Sequence, residues 1–466
     1  MASKHNPYSN PPSEVVVFAH VAGAGPHQQN QFVPAGKLEN LAEDRSPTFA
    51  YGTRYVTRAH AIEVDPVALP LAAEPGGQQR HVLPGLSEFG GIRDAAPDAW
   101  GRRVIENKLQ CGELPEVAYL LEAGSNRVGA LDIRRALDSP ENDAVNGEVD
   151  LARLLAVANR IENAEPVPAE MLQYFNGLGS AGGARPKATI RDEQGVLCLA
   201  KFPSKGDRNC NAVMEAGALE LARAAGLRVP PVKVMDVGDK RVLIIRRFDR
   251  YWAEPGQTLA AGQESWAYDP DTPTADRRPR EEGRIAYCSA MTMMGLDEYE
   301  ARNSSYLAIS QAIRRHVAVP FIERDVREIF QRMVFNIICN NNDDHLRNHA
   351  FIYDVAAKGW RLSPLYDVLP MNSVIGNRTL HLNVGEQGRA ATLDNALSQW
   401  SAYHNSRAEA IKAIHQIWTA SRAYLEKFEQ FNASAQDLAD VRGAFRRLED
   451  IASAQLCREL RELPTL

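Results

Sequence analysis

Apolar residues at Val326, Ile329, Phe330, Met333 and Ile337 recur at i, i+3, i+4, i+7 and i+11. That period puts them on one face of a helix from about residue 325 to 339, turned towards a core. Helices are also expected in "DAAPDAWGRRVIENKL" (Asp94–Leu109), entered through Pro97 and Asp98, in "DLARLLAVANRIEN", and in "NAVMEAGALELARAAGL" (Asn211–Leu227), closed by Gly226. Two long helical stretches, roughly 395–430 and 436–460, finish the chain. Elsewhere the text is strand-like. From Val15 to about Leu69, "EVVVFAHV" and "TFAYGTRYVTRAHAIEV" are β-branched and aromatic runs bounded by Gly, Pro and Asn. Further strands are expected at Ala188–Arg191 and through Lys201, on both sides of the Gly238-Asp239 turn, and on both sides of Lys358-Gly359.

The order of these elements is that of an α+β chain with four regions. Residues 1–148 are β-rich and end in the polar stretch Asp138–Asp150; residues 149–250 are a strand-rich lobe with a glycine-rich loop. Residues 251–283 ("DPDTPTADRRPREEG" at their end) are a Pro-rich polar insertion, and residues 284–466 are mostly helical. No internal repeat is visible. A length of 466 residues allows two or three domains, and 44% hydrophobic with 24% charged residues is ordinary globular composition. The net charge of −6 gives no footprint for unaided DNA binding, yet leaves room for a partner that binds DNA. Six cysteines without a Cys-x-x-Cys pair read as reduced thiols. With no signal-type h-region and no apolar run near 18 residues, the expectation is a cytoplasmic protein with no membrane segment.

One stretch holds more polar residues than a turn requires. "NNNDDHLRNHAFIYD" (Asn340–Asp354) follows the apolar helix, and "RLSPLYDVLP" (Arg361–Pro370) follows soon after. An Asn-rich helix cap with an Asx turn would use one or two of these side chains. Asp343 and Asn348 stand five apart, with Asp367 beyond the next hairpin. The kinase catalytic loop has this spacing: its Asp orients the attacking hydroxyl and accepts its proton, its Asn holds Mg²⁺, and a second acid completes the metal site. His345 and His349 stand four apart, but in a loop with no nearby cysteine, so His345 reads as a structural or phosphate-contacting residue rather than a zinc ligand. Upstream, Gly177-Leu-Gly179-Ser-Ala-Gly182 has the helix before and the strand after, the reverse of a dinucleotide fingerprint. A glycine loop leading into strands, with a lysine on a later strand, is how kinase-like lobes cover phosphates. Lys201 is that lysine or an amphipathic edge residue.

The segments "WGRRVIENKL", "GSAGGARPKATI", "AKFPS", "EAGALELARAAGLRVP", "RRFDR", "RIAYCSA", "NNNDDHLRNHAFIYD" and "LSPLYDVLP", from about Asp94 to Pro370, resemble the HipA toxin kinases of bacterial toxin–antitoxin modules. The resemblance implies a HipA-like bilobal fold related to protein and lipid kinases, with a β-rich N-terminal subdomain and a helical C-terminal lobe. It implies an ATP- and Mg²⁺-dependent serine/threonine protein kinase acting on a translation-related protein such as an aminoacyl-tRNA synthetase. Carried across, Asp343 is the base, Asn348 and Asp367 hold Mg²⁺, Lys201 contacts phosphate, and Ser180, Ala181, Gly182, Gly183 and Ala184 form the phosphate loop. Ser180 matches the autophosphorylated position, and Arg247 and Phe248 fall beside the adenine. The implied partner is a helix-turn-helix antitoxin (HipB-like), through which alone the chain would meet DNA. Three features depart from the pattern: a long insertion at Tyr251–Gly283, Arg246 where an acid is more usual, and Asp344 doubling the catalytic acid. Two other readings use the same residues, a pseudokinase co-repressor or scaffold and a small-molecule kinase.

Overall fold

The computed structural model describes residues 7–23, 30–41, 46–71, 78–141, 150–168, 171, 175, 183–254, 257–267, 281–372 and 378–464. The chain divides into two compact units. One comprises residues 1–205, 246–297 and 352–359; the other comprises residues 206–245, 298–351 and 360–466.

The first unit is built on strand β1 (Glu14–Val21), whose seven residues after Glu14 are all buried. It pairs antiparallel with β2 (Gln31–Glu39), with a bulge at Val17/Phe18. β3 (Thr48–Tyr51), β4 (Arg80–His81) and β5 (Leu131–Arg134) complete a five-stranded sheet in the order β4-β3-β2-β1-β5. The strand expected to continue past Tyr51 stops at Gly52. A short helix, Thr53–Val56, follows, and the Tyr55 hydroxyl both accepts from Ile62 N–H (3.1 Å) and donates to Ile62 C=O (2.7 Å). Those two bonds fold the chain back on itself, so aromatic content there reports core packing against Phe49 and Phe89 rather than extension.

Helix α1 (Ala99–Leu109) begins where Asp98 predicts: Asp98 Oδ1 accepts from Gly101 N–H at 2.9 Å. The other oxygen of Asp98 meets Lys187 Nζ at 2.5 Å, and both side chains are buried. Lys187 opens β6 (Lys187–Arg191), which pairs with β7 (Leu197–Lys201) so that Lys187 and Lys201 lie opposite each other. Helix α2 (Leu151–Glu162) is capped by Asp150. In "RRFDR", Asp249 takes Arg247 at 2.7 Å, Arg250 at 2.8 Å and the Gly129 N–H at 2.8 Å. Burial alone would raise the Asp249 pKa, but the two guanidiniums outweigh it and hold the carboxyl well below the usual range. The polar insertion begins and ends as a ladder: Arg250–Ala253 pairs antiparallel with Glu281–Arg284. Residues 255–256 and 268–280 of that insertion lie outside the described residues.

In the second unit, helix α3 (Asn211–Ala224) runs to Gly226, whose φ of 91° ends it, and Val232–Val237 and Lys240–Arg246 form the hairpin expected around Gly238-Asp239. Helices α4 (Tyr306–His316) and α5 (Ile322–Cys339) follow. The apolar stripe of α5 is buried as its period requires. A second stripe, Asp325, Glu328, Arg332 and Asn336, is buried as well. Asp325 Oδ2 accepts from Leu362 N–H at 2.7 Å, and Glu328 takes Arg228 Nε at 2.6 Å and Arg332 Nε at 3.1 Å. Arg332 also donates to the Ser363 carbonyl. The two long C-terminal helices expected from the sequence are instead six shorter ones, among them α6 (Arg407–Ser421). Ser406, Ser434 and Ser453 start new helices by accepting from backbone N–H groups, which ends the preceding run each time. No described helix is long and apolar enough to cross a membrane.

Asp325 is fully buried, so Asp325→Ala leaves the Leu362 N–H unmet and Arg228 short of an acceptor. We expect a loss on the order of 3 kcal/mol or more, read as a lowered midpoint in urea unfolding.

Candidate active site

The polar stretch after α5 first has to end a helix. Asn340 does so with φ of 53°, in the left-handed region that Asn tolerates better than most residues. Its amide donates to the Met371 carbonyl, while Met371 N–H donates back to the Asn340 carbonyl at 3.2 Å. Asn341 Nδ2 donates to Asn336 Oδ1 at 3.1 Å, and Asn341 Oδ1 accepts from Leu369 N–H at 3.5 Å. These asparagines therefore strap residues 369–371 to the end of α5. Asp367 lies just before the strap and is itself left-handed, with φ of 56°.

The next residues separate by environment. The Asp343 side chain is 69% exposed and lies 3.7 Å from His345 Nε2. Asp344 is 1% exposed. Its Oδ2 accepts from the Tyr306 hydroxyl at 2.7 Å and its Oδ1 from His381 N–H at 2.6 Å. Burial raises its pKa to about 6, and those hydrogen bonds pull against the rise. Asn348 closes a 3₁₀ turn, Leu346–Asn348, and its Nδ2 donates back to the Asp343 carbonyl at 2.6 Å. Its Oδ1 is buried and accepts no hydrogen bond from a described residue. Tyr366 donates to the Arg347 carbonyl at 2.6 Å. Asn348 and Asp367 each lie one residue from that bond. His349 is buried and neutral: burial, then the Arg332 charge and His345, push its pKa down to about 3.

An amide oxygen that is fixed, buried and unmet fits a hard cation, and Asn348 Oδ1 with the Asp367 carboxylate is a donor set of the kind Mg²⁺ takes beside water and phosphate. No cluster of three or more His, Cys, Asp or Glu with metal-holding geometry exists among the described residues.

The remaining expected site residues belong to the first unit. Ser180, Ala181 and Gly182 lie outside the described residues. Gly183 has φ of 100°, which favours glycine, and its carbonyl lies 3.4 Å from Lys187 Nζ; Ala184 is exposed. Lys201 is half-buried at the end of β7, opposite Lys187. The Arg247 guanidinium is held by Asp249 and by the carbonyls of Asn126 (2.9 Å) and Arg127 (3.0 Å), so its charge serves the fold of this unit. Phe248 is half-buried with its ring 6.4 Å from that of Tyr287. Sequence reading passed over Lys187. Its position four residues after Gly183, on the strand that leaves the glycine loop, was the available signal.

Two kinds of resemblance bear on this geometry. Residues 179–426 match the HipA-like C-terminal domain, and the chain belongs to that family. The candidate kinase Y4mE of Sinorhizobium fredii is 25% identical over 343 residues, covering 69% of this chain and 71% of that protein. A candidate kinase of Haemophilus influenzae is 32% identical over 104 residues, covering 21% of this chain and 29% of that one. Among solved structures, the Shewanella oneidensis MR-1 toxin–antitoxin complex of HipA, HipB and operator DNA contains a chain with a TM-score of 0.61 at 14% identity. The match covers 96% of this chain and all of that one. The fold is therefore HipA-like α+β.

Asn340→Ala loses both the left-handed tolerance and the bond to Met371. It should lower the stability of the second unit by about 1–2 kcal/mol in urea titration, whereas Asn340→Gly, which keeps the backbone freedom, should lose less.

Proposed function

We propose that this chain is an ATP- and Mg²⁺-dependent serine/threonine protein kinase, the toxin of a HipBA-like module. The observation that carries the reading is the division of labour at residues 343–348. Of two adjacent aspartates one is exposed and the other fully engaged, and the asparagine five residues on turns its amide nitrogen inward and keeps an unmet oxygen. This is what a phosphotransfer loop requires. In the reading, the Asp343 carboxylate orients the acceptor hydroxyl and takes its proton as the oxygen attacks the γ-phosphorus. Asn348 and Asp367 would hold Mg²⁺, which when bound neutralises phosphate charge. His345 stands beside Asp343 as a further phosphate contact, and the Lys201 ammonium and the backbone N–H groups of Ser180–Ala184 receive the nucleotide's phosphates. Phe248 and the backbone of Arg247 flank the adenine.

Family membership and the fold likeness to HipA support the toxin assignment. The Shewanella protein was solved with HipB and operator DNA, and a HipB-like helix-turn-helix partner is proposed here on that likeness. With a net charge of −6 the chain meets DNA only through that partner, in the cytoplasm. Ser180 is proposed as a self-modified residue: a phosphate brings about −2 charge into a loop that must cradle the nucleotide's own phosphates, and so it silences the kinase.

Incubation of the purified protein with Mg-ATP, followed by intact-mass spectrometry and peptide mapping, tests this. Wild type should gain one phosphate at Ser180 and lose activity as it does so. Asp343→Asn and Asp367→Ala should fold normally and transfer phosphate at least 100-fold more slowly. Full modification of Asp343→Asn, or transfer by Asp367→Ala at the wild-type rate, would overturn the assignment.

A further inference from the structure

The second aspartate is not a spare base. We propose that Asp344 and Tyr306 are positioning residues, a buried carboxylate–hydroxyl latch that fixes the loop from Asn341 to Asn348 and so aims Asp343 and Asn348. The inference rests on the kinase reading for its effect on turnover, but the latch itself is a property of the second unit alone.

The hydrogen bonds form a closed chain. Asn341 Nδ2 donates to Asn336 Oδ1 (3.1 Å), and Asn336 Nδ2 donates to the Tyr306 hydroxyl (2.9 Å). That hydroxyl donates to Asp344 Oδ2 (2.7 Å), while Asp344 Oδ1 accepts from His381 N–H (2.6 Å). The chain leaves the loop at Asn341, passes through α5 and α4, and re-enters at Asp344. The loop is thus tied on both sides of Asp343. The Asp343 carbonyl in turn holds the Asn348 amide at 2.6 Å, so whatever fixes residue 343 also fixes the candidate metal ligand.

Each link has a direction. Tyr306 receives a proton donor from Asn336, which leaves its own O–H to point at Asp344. Both Asp344 oxygens then accept, and at 1% exposure neither is open to a substrate hydroxyl. A carboxylate so placed does not serve as a general base. It serves as an acceptor anchored at two points. The Tyr306 ring also packs edge-on against His349 at 5.6 Å, which extends its hold to the far end of the loop.

Tyr306→Phe keeps the ring and removes the O–H by which α4 holds the loop at Asp344. Assayed with Mg-ATP and normalised to the folded fraction, it should lower kcat at least tenfold while KM for ATP stays within about threefold. A base that is mis-aimed affects the transition state more than binding. Asp344→Asn, which keeps the shape but loses one acceptor, should behave alike, and the double variant should be no slower than the slower single one. Amide hydrogen exchange supplies a readout besides activity: peptides over 341–349 should exchange at least tenfold faster in Tyr306→Phe while those over the middle of α5 do not change. Wild type without phosphotransfer would sink the kinase reading, and the exchange comparison would still decide the latch. Wild-type kcat in both single variants, or unchanged exchange over 341–349 in both, overturns it.

Discussion

A helix that buries polar side chains along with apolar ones must find partners for them, because an unmet charge or amide in the interior costs several kcal/mol. Helix α5 carries four such side chains besides its apolar stripe. Two of them, and two asparagines just past the helix, are met by a single returning segment. Asp325 meets Leu362, Arg332 meets Ser363, and at the helix end Asn341 meets Leu369 and Asn340 meets Met371. The segment therefore runs along the helix in the same direction, tied at both ends, with Asp367 between. The requirement to satisfy α5 is what delivers a second acid to the neighbourhood of the first.

The first unit uses the same physics on another scale. Its buried charges are not isolated ions. Asp98 caps α1 and neutralises Lys187, and Asp249 neutralises Arg247 and Arg250 while accepting from Gly129. Such pairs add little net stability over apolar packing, but removing one partner is severe. Their use is in register. Lys187 fixes the strand that leaves the glycine loop against the helix that begins at Asp98, and the Trp100 indole repeats the tie by donating to the Lys187 carbonyl at 2.9 Å. In the proposed kinase, a loop that receives phosphates would need a fixed exit, and this pair would supply one.

Much of this could be read from residue order, and two of the failures share one cause. The apolar period of α5, the cap at Asp98, the turn at Gly238-Asp239 and the Asp343–Asn348 spacing are local signals, and local signals survive in a single sequence. The polar stripe of α5 has helical spacing too, but its partners Arg228 and Leu362 lie 100 and 37 residues away, so nothing nearby distinguishes it from a solvated face. The run from Tyr51 reads as a strand until the Tyr55–Ile62 bonds are known. The C-terminal helices erred differently. Ser406, Ser434 and Ser453 were readable N-caps, and the apolar period simply continued across them.

Asp343 and Asp344 carry this to its limit. They are the same residue type at adjacent positions, and their chemistry in water is identical. What separates them is which way the chain faces as it leaves a left-handed Asn340. Once Asn341 is tied back to Asn336, Asp344 points at Tyr306 and sinks into the interior, and its pKa rises with burial. Asp343 is thereby turned towards solvent, beside His345. A one-residue shift of the tie would exchange the two roles. The asparagines before the pair, rather than the aspartates themselves, decide which acid is buried and which faces solvent.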